Sequence, residues 1–355
     1  MVGKDDRSIE GPEYLTTLAT ESLHLWSSTL PADATIRLIN ISENATFLVE
    51  GKDFRSVLRL HRPNYHTRKA IESEIAWLRA IQADRGVVVT PGVIAGSNGK
   101  VVQEWKDRFL VLFTFLSGHH PEDETTTMTI NGDVKMINPS LYESLGEIAA
   151  RTHMHSVSWT EKRPPDFERP VWDTETLLTS SKPTWGHWRD APGMPQNAAI
   201  LQRAQDVIVR RLQVFGKSPD RFGLIHADMR LANLLVDNDD TPPRLIDFDD
   251  CGMGWFLYDF AAGISFMEDH PQVPELQEAW VRGYRKIRPL SETEVKEMGT
   301  FVMLRRLALC AWIGSHGEVD IAQDLAPRFL PMTETLAREY LARFDVDCTQ
   351  DHRIL

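Results

Sequence analysis

The sequence predicts an α+β fold in which a small β-rich lobe precedes a larger, mainly helical lobe. Residues 34–61 hold three short runs rich in β-branched and aromatic residues, separated by the turns SEN and EGKD. Beyond about residue 119, most apolar residues recur at helical spacing instead. A chain of 355 residues is long enough for two lobes, each with its own core.

The β-rich lobe is expected over residues 1–113, followed by a hinge at 114–118. A helix at 12–26 opens it, because leucines and a tryptophan recur there at helical spacing. Three strands in meander order follow. The segment TRKAIESEIAWLRAIQ predicts one amphipathic helix, and GKVVQEW and RFLVLFTFL predict two further strands.

The helical lobe is expected over residues 119–355. Its predicted helices are PSLYESLGEIAARTHMHS, AAILQRAQDVIVRRLQVF, FLYDFAAGISFMED, PELQEAWVRGYRKI and most of 292–345. We expect only a hairpin around residue 240 to interrupt them. A stretch rich in proline and tryptophan, residues 157–190, is expected to be irregular.

Composition and charge exclude several classes of protein. The formal net charge of −12 argues against a nucleic-acid partner, which would require a basic surface. The three cysteines are far apart, so they predict neither a disulfide framework nor a paired metal site, and they favour a reducing compartment. No window approaches about 18 apolar residues, so we expect no membrane span and a cytoplasmic protein. Nothing in the sequence indicates an oligomeric state.

Polar residues interrupt two apolar runs between residues 223 and 250. GLIHADMRLANLLVD carries Asp228 and Asn233, and RLIDFDDCG carries Asp247 and Asp249. If the two runs form a hairpin with its turn near residue 240, Asn233 lies opposite Asp247. Two oxygen ligands then lie side by side, as a Mg²⁺ site that also binds substrate phosphates requires.

The charges in this segment support that interpretation. Asp247 and Asp249 are expected on one strand face, where their repulsion at about 5 Å is about 3 kcal/mol at an effective dielectric near 20. A divalent cation would reverse the sign of this energy. The spacing His-x-Asp-x-x-x-x-Asn, followed by Asp-Phe-Asp, is typical of phosphoryl transfer on a kinase scaffold. A solvated hairpin in an acidic protein is the alternative.

On these motifs the chain resembles the aminoglycoside phosphotransferase and choline kinase superfamily. The similarity extends to NATFLVEGKDFRSVLRLHRP, SEIAWLRAI, FLVLFTFLSG, LGEIAARTHMHS and LIDFDDCGMGWFLYDFA, and it is strongest to the branch that includes homoserine-kinase-like and stress response kinase A-like proteins. The resemblance implies a protein-kinase-like fold, ATP and Mg²⁺. It also implies a role for each polar residue of the motif: Asp228 as catalytic base, Asn233 and Asp247 as catalytic metal ligands, Asp249 as a further metal or substrate ligand, and His226 and Asp259 as groups that stabilise the loop.

In the β-rich lobe, Glu74 lies on the apolar stripe of the predicted helix, where a carboxylate needs a partner. Arg59, at the end of the preceding strand, is the natural partner. The resemblance places the phosphate-binding lysine of kinases at this position, so arginine is a departure, although arginine also pairs with carboxylates and phosphates. A purely structural ion pair is the alternative.

The remaining nucleotide contacts come from the resemblance alone. It places Ser42 and Asn44 over the phosphates, in a turn that lacks the usual glycines. It also places the backbone of Phe115 and Leu116 against adenine.

The predicted function is ATP- and Mg²⁺-dependent transfer of the γ-phosphoryl group to a hydroxyl of a small molecule, such as an amino alcohol or an aminoglycoside. The segment between the metal site and the next helix has no room for the long activation loop of regulated protein kinases. Two alternatives remain open. One is a serine/threonine protein kinase of the stress response kinase A type, and the other is a non-catalytic binding protein with a kinase fold, suggested by Arg59.

The acceptor is expected against the helical lobe, near a group of tryptophans and polar residues. Tryptophans beside acidic residues can hold a cationic amine through cation–π contacts, although they can equally anchor a long loop. The histidine pairs 119/120 and 153/155 lack metal-ligand geometry and are expected at the surface or in helix packing. The acceptor candidates are Trp172, Trp185, Trp188, Arg305, Trp312 and His316.

Overall fold

A computed structural model of the protein describes residues 11–121, 129–130, 133–134, 136–194, 198–237, 242–317 and 320–345. The described residues form two compact units. The first is drawn from Met1–Ala83, Thr90–Ser117 and Arg163–Glu168, and the second from Asp84–Val89, Gly118–Lys162 and Arg169–Leu355. Among the described residues, no helix is both long and apolar enough to cross a membrane.

The first unit is built on an antiparallel sheet. Its strands lie in the order Thr35–Ile41, Ala45–Gly51, Phe54–Leu60, Arg108–Thr114 and Val93–Ile94, with Gln103–Trp105 paired to Arg108–Thr114. This confirms the predicted meander. The elements are α1 (Pro12–Ser22), β1 (Thr35–Ile41), β2 (Ala45–Gly51), β3 (Phe54–Leu60), α2 (Arg68–Ala83), β4 (Val93–Ile94), β5 (Gln103–Trp105) and β6 (Arg108–Thr114). A 3₁₀ turn, Leu23–Trp26, completes the predicted first helix.

The core of the first unit lies between this sheet and α1. Alternate residues of the strands point to one face of the sheet, so Phe47, Leu58 and Leu112 are fully buried there. Leu18 and Trp26 cover them from α1 and its 3₁₀ extension. The pleat of the sheet therefore explains why every second residue of these strands contributes to the core.

The second unit is mainly helical, as predicted. The first and fourth helices of this unit lie against each other at glycines. A Cβ on Gly146 would lie 2.0 Å from the carbonyl oxygen of Trp280, and one on Gly283 would lie 1.8 Å from that of Glu143. Only glycine allows so close an approach of two backbones. The helices are α3 (Pro139–Ser158), α4 (Ala198–Phe215), α5 (Tyr258–Gly263), α6 (Val273–Arg285), α7 (Glu292–Ser315) and α8 (Asp320–Phe344).

Strands are more numerous in the second unit than predicted. Besides the hairpin β11 (Leu234–Leu235) with β12 (Arg244–Leu245), a three-stranded sheet joins β10 (Phe222–Ile225), β13 (Gly252–Trp255) and β9 (Val171–Trp172). The expectation that only a hairpin interrupts the helices was therefore wrong. β13 contains two glycines and β9 has only two residues, so neither segment shows the alternating apolar pattern that predicts a strand. A further short pair joins β7 (Thr129–Ile130) and β8 (Asp133–Val134).

The helix predicted from FLYDFAAGISFMED is also shorter than expected. It ends at Gly263, and Phe266 has a left-handed backbone with φ of 70°. A bulky residue in this conformation cannot continue a helix, so the chain turns here.

Candidate active site

The loop between β10 and β11 brings together the polar residues of the first motif. The Nδ2 of Asn233 donates to the backbone oxygen of Asp228 at 2.8 Å and to its Oδ2 at 2.9 Å. Since the amide nitrogen is directed to Asp228, the Oδ1 of Asn233 is directed away from that carboxylate. The spacing of five residues thus produces one compact group, and the Asp228 side chain keeps 21% of its surface exposed.

Two arginines contact the other oxygen of the same carboxylate. The Nη2 of Arg305, from α7, lies 3.2 Å from Asp228 Oδ1, and the Nε of Arg230 lies 3.4 Å from it. Burial acts to raise the pKa of Asp228, but Arg230, Arg305, His226 and the Asn233 amide outweigh it and hold that pKa below its usual range. The carboxylate is therefore ionised at neutral pH and able to accept a hydrogen bond from a hydroxyl.

Asp259, on α5, fixes the backbone of the loop. Its Oδ1 accepts from the amide of Ala227 at 2.7 Å, and its Oδ2 accepts from the amide of His226 at 3.2 Å. Ala227 has a left-handed backbone with φ of 66°, which is strained for a residue with a Cβ. The geometry agrees with the loop-stabilising role that the resemblance implied for Asp259.

His226 is held by its ring. The Nδ1 accepts from the amide of Asp228 at 3.3 Å, so the Nε2 carries the proton and donates to the carbonyl oxygen of Ile246 at 3.1 Å. His226 therefore ties the loop to the segment that carries Asp247.

A buried chain of side chains supports Asp259 from behind. His153 Nε2 donates to Asp259 Oδ2 at 2.8 Å, while its Nδ1 lies 3.0 Å from the Tyr284 hydroxyl, which accepts from Arg288 at 2.9 Å. Burial lowers the pKa of His153, so the imidazole is neutral, accepting from Tyr284 and donating to Asp259. From the sequence, this histidine is expected only at the surface or in helix packing; its position on an apolar helix face carries no sign of the partner.

The hairpin has a different register from the one predicted. Leu234 pairs with Leu245, and the amide of Ile246 donates to the oxygen of Asn233 at 2.9 Å. Asn233 therefore faces Ile246 and not Asp247, so the prediction was wrong by one residue. A one-residue change in register reverses the face of every side chain, and it depends on the turn, which lies outside the described residues.

Asp247 and Asp249 do not share a strand face. The strand ends at Leu245, Asp247 is exposed with φ of 62°, and Asp249 is buried in the following turn. This corrects the predicted repulsive pair. Arg169 donates to the backbone oxygens of Asp249 and of Cys251, the latter at 2.5 Å, and holds this turn in place. The left-handed backbone at Asp247 changes the direction of its side chain. The alternation of side chains along a strand does not predict such a change.

In the first unit, Arg59 and Glu74 form the predicted pair. Arg59 Nη1 donates to Glu74 Oε1 at 2.8 Å, and their side chains are 9% and 0% exposed. The guanidinium also lies over the Phe113 ring at 5.0 Å. A buried ion pair of this geometry orients the arginine rigidly.

The other predicted nucleotide contacts also lie in the first unit. Ser42 and Asn44 lie in the β1–β2 turn, but the Oδ1 of Asn44 accepts from the amide of Arg62 at 3.1 Å, which uses that oxygen within the fold. Phe115 and Leu116 follow β6 and are half-buried, with Arg55 over the Phe115 ring at 5.4 Å.

The predicted acceptor residues divide into three groups. Trp185 lies over the Arg305 guanidinium at 5.4 Å, which places it near Asp228, and its ring is tilted against that of Trp172 at 5.3 Å. Trp188 bonds to Gln205 at 2.7 Å and packs within the unit. The rings of Trp312, on α7, and His316, at the C-terminal end of α7, stack separately with their centres 4.9 Å apart.

Comparison with known proteins identifies the family. The family described as "Phosphotransferase enzyme family" matches residues 35–292, most of the chain. The chain belongs to this family. The family and the enzyme class that the motifs predicted, a kinase that phosphorylates a hydroxyl group, are thereby confirmed.

Individual relatives of this phosphotransferase differ in the acceptor that their names state. A microcompartment-associated aminopropanol kinase of known structure is 40% identical, with a TM-score of 0.80 over 92% of this chain and 97% of that one. A homoserine kinase of Gluconobacter oxydans is 24% identical over 80% of this chain and 84% of its own length. An amicoumacin kinase of Bacillus subtilis is 25% identical over 48% of this chain, and the match spans only half of that protein.

Proposed function

We propose that this phosphotransferase moves the γ-phosphoryl group of ATP, with Mg²⁺, to the hydroxyl of a small amino alcohol. The geometry of Asp228 carries the proposal. Its carboxylate is held by an amide on one oxygen and by arginines on the other, on a loop whose backbone is fixed by Asp259. Such a group is suited to orient a hydroxyl and to accept its proton as the phosphoryl group is transferred.

The ligands proposed for Mg²⁺ fit that ion chemically. Asn233 offers its Oδ1, Asp247 an exposed carboxylate, and Asp249 a second carboxylate in the adjacent turn. Oxygen donors of this kind, completed by phosphates and water, are what Mg²⁺ selects. The ion would neutralise charge on the phosphates, while this chain's residues orient the acceptor.

Nucleotide binding by the first unit is part of the same proposal. We assign Arg59 to the phosphates, with Glu74 fixing its orientation, and the backbone of Phe115 and Leu116 to adenine. Ser42 stays a candidate for the phosphates, whereas the Asn44 side chain contributes by shaping the turn, since its oxygen is bonded to Arg62.

An amino alcohol is the acceptor class best supported. The aminopropanol kinase is 40% identical over nearly the whole of both chains, far above the other relatives described here. Trp185 lies over the Arg305 guanidinium and is itself packed against Trp172. Both rings are buried, so they support the arginine beside Asp228.

The test is release of ADP from ATP, or of GDP from GTP, with Mg²⁺ against a panel of amino alcohols, aminoglycosides, homoserine and a generic protein substrate. Asp228→Ala should lower kcat by several orders of magnitude and leave nucleotide binding nearly intact. It removes the acceptor-orienting group, while the Asn233 amide keeps its hydrogen bond to the backbone oxygen of residue 228. Asp247→Ala should abolish Mg²⁺-dependent nucleotide binding. Asp220→Ala, which removes an exposed aspartate shortly before β10, is the control and should retain full activity.

Turnover confined to amino alcohols would support the proposal. Turnover of the protein substrate alone would replace it with a protein kinase. A failure of both nucleotides to raise the thermal unfolding midpoint in the presence of Mg²⁺ would leave a non-catalytic binding protein.

A further inference from the structure

We infer that Arg305 is a positioning residue, which acts through Asp228 by fixing the orientation of its carboxylate. The inference rests on the proposed function, because it takes Asp228 as the group that orients the acceptor. Arg305 itself lies outside the sequence motif. Arg305 lies on α7, 77 positions after Asp228, and its Nη2 contacts Asp228 Oδ1 at 3.2 Å.

Every part of the Arg305 guanidinium has a partner. Its Nε donates to the Ser265 hydroxyl at 3.0 Å and its Nη1 to the Tyr258 hydroxyl at 3.2 Å, while the ring of Trp185 lies 5.4 Å from its central carbon. The side chain is 4% exposed. A planar cation held at three points has one orientation, so it presents a fixed donor to the carboxylate.

The two arginines at Asp228 differ in this respect. Arg230 contacts the same oxygen but is 23% exposed, and it follows Asp228 by only two residues on the same loop. Arg305 approaches from the buried side and comes from a different element. Asn233 holds the second oxygen, so Arg305 and Asn233 together fix the plane of the carboxylate.

The fixed carboxylate determines where the acceptor hydroxyl can lie. Without Arg305, Asp228 Oδ1 keeps the longer 3.4 Å contact to the more exposed Arg230, so the carboxylate can rotate about its side-chain bonds. An error of about 1 Å in the position of a reacting group reduces the rate about 100-fold, while binding of either substrate changes little. Arg305 should therefore affect kcat and leave KM for the acceptor and nucleotide binding close to those of the wild type.

The experiment compares Arg305→Met, Arg305→Lys, Tyr258→Phe and Ser265→Ala in the full-length enzyme. We expect Arg305→Met to lower kcat about 100-fold with acceptor KM and nucleotide Kd within about threefold of wild type. Arg305→Lys should restore part of kcat, because it returns the charge without the three-point hold. Arg306→Met is the control: this neighbouring buried arginine pairs with Glu268, so its loss should reduce stability and leave kcat of the folded enzyme unchanged.

Several results would overturn the inference. One is a wild-type kcat in Arg305→Met, and another is a KM that rises while kcat stays constant. If Arg305→Met does not fold, Tyr258→Phe and Ser265→Ala decide, since both keep the charge but loosen its hold: lower kcat supports the inference, and an unchanged kcat in both contradicts it.

A crystal structure of Arg305→Met, or of Arg305→Lys if only that variant folds, separates this inference from the proposed function. A displaced Asp228 carboxylate supports the positioning role, and an unmoved one contradicts it, whichever acceptor is used. A wild-type enzyme without turnover on the whole panel would instead count against the proposed function.

Discussion

Replacing Asp259 with asparagine should remove more stability than the loss of one oxygen suggests. The carboxylate accepts three hydrogen bonds, from Ala227, His226 and His153, and all these groups are buried. Asparagine offers a single acceptor oxygen, so its NH₂ must face at least one of these donors. Asp259→Asn therefore changes three hydrogen bonds to a charged group into at most two neutral ones.

The size of the effect follows from this count. Hydrogen bonds to a charged group contribute about 1.5–3 kcal/mol each and neutral ones about 1 kcal/mol, which predicts a loss of about 4 kcal/mol in the free energy of unfolding. Separately from this loss, Ala227 holds a strained backbone at φ 66°. Adding Ala227→Gly should restore about 1 kcal/mol, because glycine adopts this conformation without strain.

Denaturation by urea, followed by circular dichroism, measures both variants. Asp220→Asn is the control, because Asp220 pairs with Arg221 at the surface with its side chain 59% exposed, so the change should cost less than about 1 kcal/mol. A stability of Asp259→Asn within 1 kcal/mol of the wild type would refute the reasoning, as would an Ala227→Gly substitution that restores nothing.

Two further predictions concern the helices that carry this network. Gly283→Ala would place a Cβ 1.8 Å from the carbonyl oxygen of Glu143, so α3 and α6 must separate. The free energy of unfolding, measured by the same urea assay, should fall by about 3 kcal/mol. Gly317→Ala is the control and should leave it unchanged, because a Cβ there meets open space. The lowered pKa of His153 means that the folded protein disfavours its protonated form. Its contribution to stability is therefore complete above the ordinary value near 6.5 and is lost as pH falls below it, with a slope of up to about 1.4 kcal/mol per pH unit. His153→Gln should remove that slope from stability measured between pH 7 and 5, and an unchanged slope would contradict the assignment.

The sequence alone determined the local parts of this protein. Asp228 and Asn233 are five residues apart and hydrogen-bond directly, so their spacing by itself predicted a functional group. The pairing of Arg59 with Glu74 followed from a carboxylate on an apolar helix face, which requires a partner nearby. Strand alternation likewise predicted the meander of the first unit.

The long-range contacts and the register of the hairpin depend on how distant parts of the chain pack together. Arg305 is 77 residues from Asp228, and His153 is 106 residues from Asp259, so no periodic pattern relates them. The hairpin register changes with one residue in the turn, and it separated Asn233 from its predicted partner Asp247. The physical reason is the same in each case: helical and strand periods fix which face a side chain occupies, whereas packing between distant elements fixes what that face meets.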